Sequence, residues 1–273
     1  MGRSIAPLFV ENNGHPDRIL HQGTMKNVLF WFYQLYAWLI LWPLVAVLTS
    51  LFGTLAVIFS ILVSPRFASR VVASTWGRLL AWLTPIGVVV EGGENAQQNR
   101  SYVVVCNHQS AVDIVVVYGW LTLDLIWVIK QELRKIPGLG IGCEKVGHIF
   151  VDRNNPNRAR RAIKEALDRL GDGIGIFFFV EGTRSPDGKL LPFKKGAFRI
   201  AIDHQLPVLP VTLIATRDIL PPGSLKPYPG RTRMVIHPAI ETDGMSRGQM
   251  EDLMDRAKKT ISSALPQQSG YFI

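Results

Sequence analysis

The chain has 273 residues, a formal net charge of +9 and only two cysteines. Two cysteines are too few for a disulfide framework. The basic surplus is not gathered into a long run with interleaved aromatics, which argues against a nucleic-acid binder.

In chain order, residues 1–26 are polar, contain Gly14 and Pro16, and read as an arm. Residues 27–65 then contain no Asp, Glu, Lys, Arg or His and include Phe30, Trp31, Phe32, Trp38 and Trp42. As one straight helix this segment would reach about 58 Å, against roughly 30 Å for the hydrocarbon core of a bilayer. Two helices of about eighteen residues, broken between Pro43 and Gly53, fit better, so a hydrophobic helical hairpin is predicted as a membrane anchor. Arg18 and Lys26 precede it, and Arg66, Arg70 and Arg78 follow it, placing both ends on the cytoplasmic side. Spanning twice and dipping into one leaflet both accommodate such a hairpin. A cleaved signal peptide is disfavoured, because the apolar run is too long and begins too late.

Residues 66–273 are expected to form one folded domain. An amphipathic helix from Arg66 to Leu83 leads into it. Strands are predicted near 88–90, 102–106, 125–129, 148–151, 174–180, 208–214 and 233–236, with helices near 111–121, 158–170, 196–203 and 246–264. The alternation argues for an α/β sheet flanked by helices. Two glycine-rich stretches, Gly138 to Gly142 and Gly171 to Gly175, lack the strand–loop–helix spacing of a nucleotide loop. The first is expected to turn the chain, and the second to end a helix and enter a core strand.

Two short segments carry the chemistry. In Asn107-His108-Gln109-Ser110-Ala111-Val112-Asp113, five positions separate the imidazole from the carboxylate. On one regular helix that is a rotation of about 500°, so the two groups would diverge. Ser110-x-x-Asp113 supplies the break, since Ser-x-x-acid ahead of an apolar stretch is a helix-start signature. His108 then sits in a strand-to-helix turn, and Asp113 in the first helical turn can fold back to orient it as a base. Capping alone would also account for Asp113. The second segment, Val180-Glu181-Gly182-Thr183-Arg184-Ser185, ends an apolar run with an acid and a guanidinium. Basic residues cluster around both: 130–161 carries eight Lys or Arg against three acids, and 184–199 five against one. Arg158, Arg160, Arg161 and Lys164 read as a solvated or headgroup-facing surface. Cys106 reads as a small buried residue ending a strand, and the His and Cys residues show no zinc-ligand spacing.

The ordered set Asn107-His108 with Asp113, Lys130-Gln131-Glu132-Leu133 with Ile136-Pro137, Gly147 to Arg153, Glu181 to Ser185 and Leu206 to Val211 resembles the four motif blocks of the glycerolipid acyltransferases. It is most similar to the bacterial 1-acylglycerol-3-phosphate acyltransferase type. The resemblance covers roughly residues 75 to 240. Val180 departs from it, standing where the family more often has Pro.

That resemblance implies a mixed sheet behind a two-helix membrane motif, and an enzyme of the cytoplasmic face of the inner membrane in phospholipid biosynthesis. Its activity would move a fatty acyl group from acyl-carrier protein or coenzyme A to the sn-2 hydroxyl of a lysophosphatidic acid, giving phosphatidic acid. His108 and Asp113 of the His-x4-Asp motif would be catalytic, without an acyl-enzyme, a metal or a cofactor beyond the thioester co-substrate. Lys130, Arg153, Glu181, Gly182, Thr183 and Arg184 would bind substrate, with Lys194 and Lys195 as further anion contacts. Glu181 could orient Arg184 or Thr183, or join the acceptor site. Another lyso-lipid, such as lyso-ornithine lipid or a lysophospholipid, is the alternative acceptor.

Overall fold

The computed structural model describes residues 28–135, 139–151, 161, 163–165 and 173–266. Its centre is a seven-stranded sheet made of β1 (Ile86–Glu91), β2 (Tyr102–Cys106), β3 (Asp124–Lys130), β4 (Ile149–Val151), β5 (Ile174–Phe179), β6 (Val208–Ile214) and β7 (Gly230–Ile236). The order is β1-β7-β6-β2-β5-β3-β4. β6, β2, β5, β3 and β4 run parallel, whereas β7 is antiparallel to β6 and carries β1 parallel to itself. The sheet is therefore mixed, as expected.

β2 is buried at every position, which is why its sequence is a continuous apolar run rather than an alternation. Val103 and Val105 enter one core with helix α5 (Gly196–Asp203) and helix α7 (Met250–Ala264). Tyr102, Val104 and Cys106 enter the other core with helix α3 (Val112–Trp120). Helices thus cover both faces. Helix 246–264 begins as a short turn with a capping box between Ser246 and Gln249. The expected helix near 158–170 falls largely outside the described residues.

The N-terminal apolar segment differs from expectation in where it turns. Helix α1 runs unbroken over Val28–Leu62, with no break between Pro43 and Gly53. A proline inside a helix removes one hydrogen bond and crowds the carbonyl four residues back. Here a π-helical stretch, Ala37–Leu41, lies just ahead of Pro43 and shifts the hydrogen bonding there. The chain reverses only after Val63, where Ser64 accepts the Phe67 amide and Pro65 opens the next helix. Helix α2 (65–83) contains a second π stretch, Ala68–Ala73, and packs back along α1, where Trp76 Nε1 donates to Thr49 Oγ1 at 3.2 Å. Helix α1 is long and apolar enough to cross a membrane, and Trp31, Phe32, Leu39 and Leu62 lie exposed on it.

A second correction concerns the first glycine-rich stretch. From Leu139 it is helix α4 (Leu139–Val146) rather than a turn. A Cβ on Gly140 would lie 2.0 Å from the Arg134 carbonyl oxygen, so the glycine permits a close backbone approach. Ser60 Oγ on α1 donates to the carbonyl of Lys145 on α4, which ties the two helices together. Helix α6 is the short Thr216–Ile219.

Candidate active site

His108 stands two residues beyond the end of β2, in the turn that leads into α3. Its Nδ1 lies 2.7 Å from Asp113 Oδ2. The same oxygen accepts the backbone amides of Gln109 at 2.7 Å and Ser110 at 2.9 Å. Ser110 Oγ in turn accepts the Val112 amide. The arrangement differs from a capping box, because the Ser110 hydroxyl takes the amide two residues on and Asp113 N–H donates to the Ser110 carbonyl. Capping the helix and orienting the imidazole are thus one task of one oxygen. Asp113 is fully buried, and its charge is held by these donors. Nδ1 therefore carries the proton shared with the carboxylate, and Nε2 is free to accept one.

The turn is fixed from several sides. The Asn107 side chain donates to the Leu213 carbonyl at 2.9 Å and accepts the Leu213 amide at 2.8 Å, continuing the link between β2 and β6 past the strand end. Ser110 Oγ donates to the Leu220 carbonyl, so the turn is also tied to the segment after β6. Ser185 N–H donates to the His108 carbonyl at 2.8 Å, placing the segment after β5 alongside.

Glu181 is 2% exposed. Its Oε1 accepts the His108 amide at 2.7 Å and its Oε2 accepts the Leu191 amide at 2.7 Å. Burial pushes its carboxyl above the usual value, while those two amides and His108 pull it back. The carboxylate therefore joins the His108 backbone to a loop ten residues downstream. Gly182 follows with φ of +76°, a left-handed conformation that favours glycine. Thr183 and Arg184 are exposed, and Arg184 immediately precedes Ser185, whose amide binds the His108 carbonyl.

Two of the other expected anion contacts cannot be placed at the turn from the described residues. Lys130 ends β3, and Arg153 and the side chain of Lys130 lie outside the described residues. Lys195 pairs with Glu251 on α7 at 2.5 Å. Cys106 is wholly buried, and its thiol is pushed well up by burial and by the Asp113 and Glu181 carboxylates. His148 belongs to the third block but packs inward. Its Nε2 lies 2.7 Å from Tyr118 Oη, and burial lowers it to about 4, so the ring is neutral. Among the described residues no group of three or more His, Cys, Asp or Glu is placed to hold a metal ion.

Sequence reasoning missed Phe179. The parallel register sets Phe179 beside Cys106, and the His108 ring lies over it with centroids 3.7 Å apart and planes 9° apart. An apolar run marks Phe179 only as a strand residue, and no local pattern reveals a contact made by strand pairing.

The chain matches the acyltransferase family model over residues 87–214. It is 32% identical over 191 residues to a 1-acyl-sn-glycerol-3-phosphate acyltransferase of Limnanthes douglasii, covering 70% of this chain and 67% of that protein. It is 30% identical over 183 residues to the alpha form of the same enzyme in Ovis aries, covering 67% of this chain and 64% of that protein. The chain thus spans slightly less than two thirds of the length of the sheep relative. The crystal structure of the 1-acyl-sn-glycerophosphate acyltransferase PlsC of Thermotoga maritima superposes with a TM-score of 0.69 at 30% identity, covering 88% of this chain and 95% of that one.

Proposed function

As the chain belongs to the acyltransferase family, we propose that it transfers a fatty acyl group from an acyl-carrier-protein or coenzyme A thioester to the sn-2 hydroxyl of 1-acylglycerol-3-phosphate, giving phosphatidic acid. The observation that carries this reading is the 2.7 Å contact of His108 Nδ1 with Asp113 Oδ2, which leaves Nε2 available as a base. In the step proposed, the lipid hydroxyl gives its proton to Nε2 as its oxygen attacks the thioester carbonyl. The tetrahedral adduct then expels the thiolate, and the imidazolium returns the proton to sulfur. Asp113 stays ionised throughout and stabilises the imidazolium. The wholly buried Cys106 has no exposed sulfur to receive an acyl group, which favours direct transfer. Arg184, together with Lys130 and Arg153, would hold the acceptor phosphate, a guanidinium matching phosphate oxygens in a planar fork.

The exposed apolar residues of α1 fit an anchor in the cytoplasmic leaflet of the cell membrane, formed by residues 27–65 ahead of the catalytic domain. The deciding assay supplies lysophosphatidic acid and a labelled acyl thioester to protein in vesicles. His108→Ala should fold, stay with the vesicles and lose turnover; retained turnover overturns the mechanism. Arg184→Ala should raise KM for lysophosphatidic acid by about tenfold, as expected when one charged hydrogen bond to substrate is lost. An equal loss on a phosphate-free acceptor would refute the clamp.

A further inference from the structure

We propose that Phe179 is a positioning residue whose ring face holds His108 in place and stabilises the positive charge that the imidazole acquires when it takes the acceptor's proton. The inference rests on the general-base reading above and concerns how that base is made to work.

The geometry is specific. The two rings lie 3.7 Å apart and within 9° of parallel. Two neutral aromatic rings disfavour a face-to-face sandwich, because both faces carry negative potential, and they prefer offset or edge-on arrangements. A cation above a ring face is attracted instead. The stack therefore suits the imidazolium better than the neutral imidazole, and an interaction stronger in the charged intermediate than in the ground state is one that accelerates the chemical step. Phe179 forms no bond. The proton passes from the lipid hydroxyl to Nε2 and from there to the departing sulfur, and the ring responds only to the charge between those two transfers.

The ring is also well braced. Phe177 meets it edge-on, with centroids 5.0 Å apart and an interplanar angle of 84°, and Trp127 packs at 5.6 Å. Its backbone sits beside Cys106 in the β2–β5 pair, and the following amide, Val180 N–H, donates to the Cys106 carbonyl at 3.1 Å. The titratable groups around the imidazole are Asp113 from α3, Glu181 from the turn after β5, and Cys106 from β2, whose thiol is held neutral. Both carboxylates already favour the imidazolium. Phe179 adds a third contribution, from the ring face.

The test compares Phe179→Leu, Phe179→Met and Phe179→Tyr with the unaltered protein in vesicles, using lysophosphatidic acid and an acyl thioester. kcat/KM is followed across pH, and the His108 ring is titrated by NMR in detergent. Losing the π face should reduce kcat/KM by about tenfold, since a partly desolvated cation–π contact corresponds to roughly that factor. Because the imidazolium is less stabilised, protonation needs more acid, so the acid limb of the profile and the ring titration should both move to lower pH by about half to one unit. KM for both substrates should change little, and Phe179→Tyr should restore the profile. Phe179→Met keeps an apolar side chain of similar reach and serves if the leucine variant fails to fold. Unmoved titration in the aliphatic variants, or equal impairment in Phe179→Tyr, overturns the inference. Full turnover in His108→Ala sinks the underlying base assignment instead, so the two failures are distinguishable.

Discussion

Glu181→Gln probes whether the buried acid acts on substrate or on the base's backbone. In the structure both carboxylate oxygens are taken by amide donors, each at 2.7 Å, from His108 and Leu191. A glutamine has one carbonyl oxygen and can satisfy only one of them, while its NH2 group faces the other donor. Leaving a buried amide unpaired costs about 1–3 kcal/mol. Relief of the buried charge offsets part of this, so a net loss of about 1–2 kcal/mol is expected. In a domain of this size that corresponds to a fall of roughly 2–8 °C in Tm.

Because one of the two amide links that fix the His108 backbone to the Leu191 loop is lost, kcat should fall by one to two orders of magnitude with KM for both substrates nearly unchanged, as expected when a positioned base drifts by a fraction of an ångström (about 10²-fold per ångström). The pH dependence has a defined sign. The native carboxyl lies above its ordinary value of 4.5, so between those values the folded protein binds the extra proton. This group's contribution to stability therefore declines as pH rises through that window, and the glutamine variant should lack that decline. Thermal melting at several pH values and initial rates in vesicles measure both effects. A variant that melts like the parent but shows a tenfold higher KM for lysophosphatidic acid with intact kcat would refute the backbone role and place Glu181 on the acceptor.

Asp113→Asn should reduce kcat by about 10³–10⁴, because an amide neither fixes the tautomer nor stabilises the imidazolium; a loss under tenfold in rate assays would show that the aspartate mainly caps α3. Gly77→Ala should destabilise by about 1–3 kcal/mol through overpacking, since its Cβ would lie 2.7 Å from the Val115 carbonyl oxygen and 2.8 Å from the Gly119 amide nitrogen where α2 crosses α3; an unchanged melting temperature would show that the crossing is looser than described. His148 is neutral, lowered by burial from 6.5 to about 4, so the native state binds fewer protons than the unfolded chain between those values. Its contribution to stability is present above pH 6.5 and is lost as pH falls toward 4. Denaturant midpoints for His148→Gln should accordingly fall less on acidification than those of the parent, and parallel slopes would contradict this.

What the sequence discloses divides along the range of the interactions involved. The boundaries of β2, β6 and α5 follow from local apolar runs and agree with the structure residue for residue. The His108–Asp113 contact is also local, because a helix start between the two residues is enough to bring them together. Capping and orienting looked like competing accounts of Asp113 while only spacing was known. They are the same geometry: an oxygen that gathers the Gln109 and Ser110 amides is thereby placed against Nδ1. The helical course of α1 through Pro43 was hidden because a local π-helical stretch overrides the helix-breaking tendency of proline.

The long-range part of the site follows a different logic. Glu181 finds its second donor in Leu191, and Phe179 finds His108 only through the β2–β5 register. A one-residue slip of that register would move Phe179 to the opposite face of the sheet, leaving the imidazole its acid but no ring beneath it. Every residue of the local motif would still be present. The two stretches of sequence therefore depend on each other: the turn after β2 supplies His108 and the acid that contacts it, and the end of β5 supplies the ring on which the imidazole rests and the carboxylate that holds its backbone. Substitutions confined to the β2–β5 pairing should consequently impair turnover before they disturb the His108–Asp113 contact itself.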